Sequence, residues 1–174
     1  IDVTSQPGRG SRFTVMLPRV QAQTSDSEQV ASPRRLPATC ATILLVEDDE
    51  GIRRLVAAVL RDQGYEVLAA ADGVEALQML QLRKGGCDLL ITDVEMPEVD
   101  GFELTRRVRA HPRFSRLPVI MITSSDERHR AEANAAGVNL LLGKPYAEET
   151  LLAQVQVMLA AAATQRASAS LAVH

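Results

Sequence analysis

Aromatic residues are scarce in this 174-residue sequence, with two Tyr, three Phe and no Trp. That excludes a core built on stacked rings. The 46% of residues that are hydrophobic must pack largely as aliphatic chains, which suits a parallel sheet covered by helices on both faces. Cysteine is limited to Cys40 and Cys87. Two are too few for a disulfide framework, and both read as free thiols in a reducing compartment. No apolar run reaches the ~18 residues of a membrane span, and no secretory leader pattern is visible. No charge of one sign dominates either. A formal net charge of −3 argues against nucleic acid as a main partner, because such binding rests on neutralising phosphates with Lys and Arg. A cytoplasmic segment with no membrane contact of its own is expected. Ile1 is not an initiator Met, as expected for a piece of a longer chain.

The charge is distributed unevenly. Residues 1–40 carry five Arg against three acids, and residues 41–160 carry thirteen Lys and Arg against nineteen Asp and Glu. Composition divides the chain in the same place. Residues 1–20 alternate like strands: Ile1 and Val3 precede a turn at Pro7-Gly8-Arg9-Gly10-Ser11, and Phe13, Val15 and Leu17 follow it, the pattern of a β-hairpin. A lone hairpin is marginal in water, so this one is expected to belong to a larger sheet. Residues 21–40, rich in Gln, Ser, Thr, Ala and Pro, read as a flexible linker. Residues 41–161 alternate strand and helix five times, and residues 162–174, Ala/Ser-rich, are expected to be disordered.

Within 41–161, strands are predicted near 43–47, 66–70, 88–93, 118–123 and 138–142. Between them the apolar spacing approaches 3.6. The first helix aligns Ile52, Leu55, Val56, Val59 and Leu60 and stops at Gly64. The second aligns Val74, Ala76, Leu77 and Leu80. The third covers about 101–110 and the fourth, polar and short, about 127–136. The fifth begins after Tyr146 with Leu151, Leu152, Val155, Val157, Met158 and Leu159. Such alternation specifies a parallel sheet with right-handed crossovers.

The chemistry gathers where strands end. Ile43-Leu44-Leu45-Val46 runs into Glu47-Asp48-Asp49. The strand before Val94 ends on Asp93, and Val119-Ile120-Met121-Ile122 ends on Thr123-Ser124. Leu140-Leu141-Leu142-Gly143 runs into Lys144-Pro145. Open α/β sheets bind ligands beyond the carboxyl ends of their strands. Adjacent acids repel unless a cation sits among them, and Mg²⁺ needs only one or two carboxylates beside its waters. The alternative is that these acids cap the next helix, which suffices for Asp49. A carboxylate such as Asp93 can act as a nucleophile and form an aspartyl phosphate, given fixed positive charge and donors for the phosphoryl oxygens. Thr123, backed by Ser124, and Lys144 supply these. Singly, each reads as a strand-end or surface residue; the combination carries the argument.

Residues 42–160 resemble the receiver domain of two-component response regulators. The matching stretches are Ile43-Leu44-Leu45-Val46-Glu47-Asp48, Asp93-Val94-Glu95-Met96-Pro97 with Asp100-Gly101, Val119-Ile120-Met121-Ile122-Thr123, and Gly143-Lys144-Pro145. The resemblance implies a flavodoxin-like (βα)5 fold, a doubly wound parallel sheet of order 2-1-3-4-5. It implies that Asp93 takes phosphate from a phosphohistidine. Glu47 and Asp48 would hold Mg²⁺ with the carboxylate of Asp93 and the backbone carbonyl of Glu95, and Thr123 and Lys144 would bind the phosphoryl oxygens. The Lys144–Pro145 bond would be cis. Many receivers carry Tyr or Phe three residues before the Lys as a switch. Leu141 stands there, so output through access of a partner to Asp93 is the expectation. Tyr146 is expected to pack at the start of the last helix, and the Glu95 side chain to influence water at the mouth of the site. Residues 1–20 resemble the terminal hairpin of histidine-kinase ATP-binding domains. The implied whole is the end of a hybrid sensor kinase: a kinase core in cis donates phosphate, and a histidine phosphotransfer protein receives it. Two rival readings are an interaction module that is never phosphorylated and an aspartate-nucleophile phosphatase of the haloacid dehalogenase type.

Overall fold

The structure, a computed structural model, describes residues 2–6, 10–14, 41–83, 85–124 and 126–171. The linker 21–40, Cys40, the hairpin turn at 7–9 and residues 15–20 fall outside them. The chain divides into two units, 1–35 and 36–174. In the first, β1 (Asp2–Gln6) pairs antiparallel with β2 (Gly10–Thr14), Val3 opposite Phe13 and Thr4 opposite Arg12. This is the expected hairpin.

The second unit runs β3 (Thr42–Val46), α1 (Glu50–Asp62), β4 (Glu66–Ala70), α2 (Gly73–Leu82), β5 (Leu89–Asp93), α3 (Gly101–Ala110), β6 (Val119–Thr123), α4 (Asp126–Ala136), β7 (Leu140–Gly143) and α5 (Glu148–Leu171). Its sheet is parallel throughout, in the order β4-β3-β5-β6-β7. Numbered within this unit, that is 2-1-3-4-5, the flavodoxin-like arrangement. The order reverses between β3 and β5, which opens a crevice beyond their carboxyl ends.

Strand alternation sorts the aliphatic residues into two layers. Ile43, Leu45, Leu89, Ile91, Ile120 and Ile122 face α1 and α5, meeting Val56, Ala57, Leu60, Leu151 and Val155. Leu44, Val46, Leu90 and Val119 face α2 and α3, meeting Ala76, Leu80, Leu104 and Val108. A smaller set, Val94, Phe102, Met121, Ala133 and Ala136, lies under α4. Burying a side chain of this size contributes about 1.5–3 kcal/mol, so the sheet is the rigid frame on which the loops rest.

Helix ends follow capping chemistry. Asp49, Asp72 and Asp100 each accept a hydrogen bond from the backbone N–H three residues on, at 2.8, 2.8 and 2.7 Å, satisfying first-turn donors. Asp49 is thus a cap. Gly64, at φ 88°, follows the end of α1.

Three expectations need correction. The apolar stripe of α1 is wider than the face it buries: Val56, Ala57 and Leu60 are buried, whereas Leu55 is 66% exposed. Val157 of α5 is likewise 60% exposed. The segment from 162, expected to be disordered, is helical as far as Leu171; its alanines have the highest intrinsic helix propensity, which needs no apolar periodicity. Cys87 is a free, half-buried thiol just ahead of β5, and burial pushes its pKa up.

Candidate functional site

Asp93 closes β5 and is 6% exposed, while Glu47, directly after β3, is 4% exposed. Because β3 and β5 are hydrogen-bonded neighbours with Val46 opposite Thr92, the two carboxylates emerge side by side at the crevice. Asp48 is exposed next to them. Carboxylate oxygens of Glu47, Asp48 and Asp93 lie within 4.8 Å of one another. Two of the three acids are buried, so the negative charge is poorly solvated.

Lys144 answers part of that charge. Its Nζ donates to Asp93 Oδ2 at 2.6 Å and stands 3.7 Å from Glu47 Oε2. The side chain is 29% exposed. Burial works against its charge, but the hydrogen bond to Asp93 and the charges of Asp93 and Glu47 outweigh that and hold its pKa above the ordinary lysine value. The Lys144–Pro145 peptide is cis, as the resemblance implied. Lys144 N–H donates to Thr123 carbonyl oxygen at 2.7 Å, tying the lysine to the end of β6. The other oxygen of Asp93, Oδ1, accepts from Val94 N–H at 2.7 Å and, less closely, from Glu95 N–H at 3.4 Å.

Glu47 carries the strain of the arrangement. Desolvation by burial, then the charge of Asp93, raise its pKa, against the lowering effect of Lys144. One ammonium for three carboxylates leaves room, electrostatically, for a divalent cation. The all-oxygen donor set is of the kind Mg²⁺ takes, with water completing its shell.

Around the mouth, Ser124 Oγ donates to Glu95 Oε1 at 3.1 Å, joining two exposed side chains across the opening. Leu141 is half-buried against the cluster under α4. Pro145 is exposed, and Tyr146 packs against the α1/α5 layer. Burial pushes the Tyr146 hydroxyl pKa up, with Lys144 pulling it down. Glu47, Asp48, Asp93, Thr123 and Lys144 therefore lie at the carboxyl edge of the sheet, with Glu95, Ser124, Pro145 and Tyr146 beside it, whereas Leu141 lies within β7, opposite Met121.

Two participants were not read from the sequence. Arg53, one turn into α1, donates through Nη1 to the carbonyl oxygens of Glu47 and Asp48 at 2.7 and 3.1 Å, fixing the acidic loop. A basic residue shortly after a carboxylate cluster was the available signal. The second is His129 of α4, whose Nδ1 is 2.6 Å from Thr123 Oγ1. Thr123 is fully buried. A single histidine in a polar helix gives no periodic sign of such a contact.

Residues 43–156 match the family model described as the response regulator receiver domain. The chain belongs to that family. Among its relatives, the transcriptional regulatory protein GltR of Pseudomonas aeruginosa is 38% identical over 125 residues, covering 71% of this chain and 51% of GltR. The sensor protein EvgS of Escherichia coli is 37% identical over 154 residues, 87% of this chain but 12% of EvgS. The chain thus spans at most about half the length of these two relatives. The chemotaxis protein CheY of Pseudomonas aeruginosa is 40% identical over 66% of this chain and 92% of its own. Among solved structures, the receiver domain of sensor histidine kinase PA1611 from Pseudomonas aeruginosa, with a magnesium ion coordinated in its active-site cleft, has 31% identity and a TM-score of 0.63. The match covers 69% of this chain and 98% of that one. This receiver therefore belongs to two-component signalling, whose receivers interact with histidine kinases or phosphotransfer proteins. Among the described residues, no helix is long and apolar enough to cross a membrane.

Proposed function

We propose that this receiver accepts a phosphoryl group on Asp93 from a phosphohistidine and passes it to a histidine phosphotransfer protein. The observation that carries the proposal is the meeting of Asp93, Glu47 and Asp48 with the Lys144 ammonium at one strand edge. In the transfer, a carboxylate oxygen of Asp93 bonds to phosphorus. The phosphorus–nitrogen bond breaks, and its electron pair returns to the imidazole. Lys144 neutralises a phosphoryl oxygen and fixes the aspartate meanwhile, and the Thr123 hydroxyl donates to another. Glu47, Asp48, Asp93 and the backbone carbonyl of Glu95 would hold Mg²⁺, which when bound screens the acids from the incoming phosphoryl oxygens.

The added charge, roughly −1.5 to −2, alters the surface formed by Ser124, Leu141, Pro145 and Tyr146, where a partner reads the state. Residues 1–20 are the terminal hairpin of an ATP-binding domain, and the donor is a kinase core in the same protein, at the cytoplasmic side. Similarity to EvgS over a stretch longer than the receiver itself supports that context. The test is transfer from a purified, histidine-phosphorylated kinase core. The phosphoryl group should move to this chain in the presence of Mg²⁺, and Asp93→Asn should receive none. A native protein that stays unphosphorylated while the donor retains its label would overturn the proposal.

A further inference from the structure

We infer that the Thr123 hydroxyl gives its proton to Nδ1 of His129 in the unphosphorylated chain and turns it to a phosphoryl oxygen after transfer, releasing the imidazole and loosening α4. His129 is then a positioning residue that carries the state of the site to a helix. The inference rests on the reading of Asp93 as the phosphoryl acceptor.

Thr123 ends β6, one residue beyond Ile122, which lies opposite Asp93 in the register. Its hydroxyl is buried and 2.6 Å from His129 Nδ1. A hydroxyl has one proton to donate, and phosphoryl oxygens only accept. The proton cannot serve both. His129 is also seated edge-on against the ring of Phe102, with centroids 5.5 Å apart. Phe102 belongs to the cluster under α4, together with Met121, Ala133 and Ala136. Those two alanines are the fully buried side chains of α4 among the described residues. They supply little apolar area, so polar contacts, among them His129 to Thr123 and Glu132 to Arg106 of α3, at 2.6 and 2.7 Å, contribute to seating this helix. Leu141, half-buried in the same cluster, has no polar atom with which to sense the hydroxyl.

The test uses isotope-labelled protein with Mg²⁺ and beryllofluoride as the phosphoryl analogue. Amide signals of Val94 and Lys144 report occupancy, ring-nitrogen signals of His129 report its hydrogen bond, and amide exchange along α4 reports its seating. On occupancy, His129 Nδ1 should move towards the position of a free imidazole. Exchange in α4 should rise roughly five-fold, the loss of one hydrogen bond of ordinary net strength, with α2 unchanged. In His129→Phe, which keeps a ring beside Phe102, α4 should exchange fast beforehand and not respond, while the Val94 and Lys144 signals still shift. Two outcomes overturn the inference and leave the acceptor reading intact: site amides that shift with His129 and α4 unmoved, or an α4 response in His129→Phe equal to the native one. Site amides that never shift remove the acceptor reading, and the inference with it.

Discussion

Replacing Lys144 by Met removes the ammonium and keeps most of the stem's volume. Nζ stands 2.6 Å from Asp93 and 3.7 Å from Glu47. At an effective dielectric of about 20, each contact has a gross attraction of roughly 4–6 kcal/mol. Desolvation cancels much of it. Exposed pairs contribute about 0–1 kcal/mol, and breaking a buried pair costs about 3–5 kcal/mol. With the carboxylates buried and the lysine 29% exposed, the variant should lie between, losing about 2 kcal/mol in metal-free buffer. For an m-value near 2 kcal/mol per molar, the urea midpoint falls by about 1 M. The two carboxylates left behind repel each other, so saturating Mg²⁺ should stabilise Lys144→Met more than it stabilises the native protein. Urea melts of both proteins, with chelator and with Mg²⁺, measure this. A variant as stable as the native chain without metal, or a deficit that Mg²⁺ leaves untouched, would refute the electrostatic account.

A Cβ on Gly101 would lie 2.2 Å from the carbonyl oxygen of Asp93, so Gly101→Ala must displace the loop bearing the acceptor. It should cost about 1–3 kcal/mol in a urea melt and slow phosphorylation. Burial and the charge of Asp93 raise the pKa of folded Glu47 above the ordinary glutamate value, which means the folded state binds its proton more tightly than the unfolded chain does. Its ionisation therefore opposes folding. That penalty develops as pH rises from the ordinary glutamate range through the raised value, and it is absent below that range. Metal-free Glu47→Gln should accordingly be more stable than native at neutral pH, with the difference shrinking on acidification, and should gain less from Mg²⁺. Glu95→Ala breaks the contact with Ser124 at the mouth of the site; a changed aspartyl-phosphate lifetime is expected, and an unchanged one removes Glu95 from the control of water.

Much of the site was legible because it lies at strand ends. In β3, β5 and β6 every residue is buried, so the apolar runs are continuous and the residues that end them stand out. The fold order came from the family resemblance rather than from periodicity, which cannot rank strands. Helix faces were less legible. Leu55 and Val157 belong to apolar stripes but face solvent, because a stripe is wider than the arc that touches the sheet. The Ala-rich extension of α5 to Leu171 follows from backbone propensity, to which a search for apolar spacing is blind. Arg53 and His129 act through hydrogen bonds to residues five or six positions earlier in the chain, contacts that apolar periodicity does not encode.

The central claim is that Asp93 is the nucleophile of a metal-assisted phosphoryl transfer. Its most direct measurement is the intact mass of the protein after incubation with a small phosphodonor, with Mg²⁺ and with chelator, followed by locating the modified peptide. The account requires one phosphoryl group, on Asp93, formed in the presence of the metal and missing from Asp93→Asn. Modification at another residue, or equal modification with the metal chelated, would contradict it.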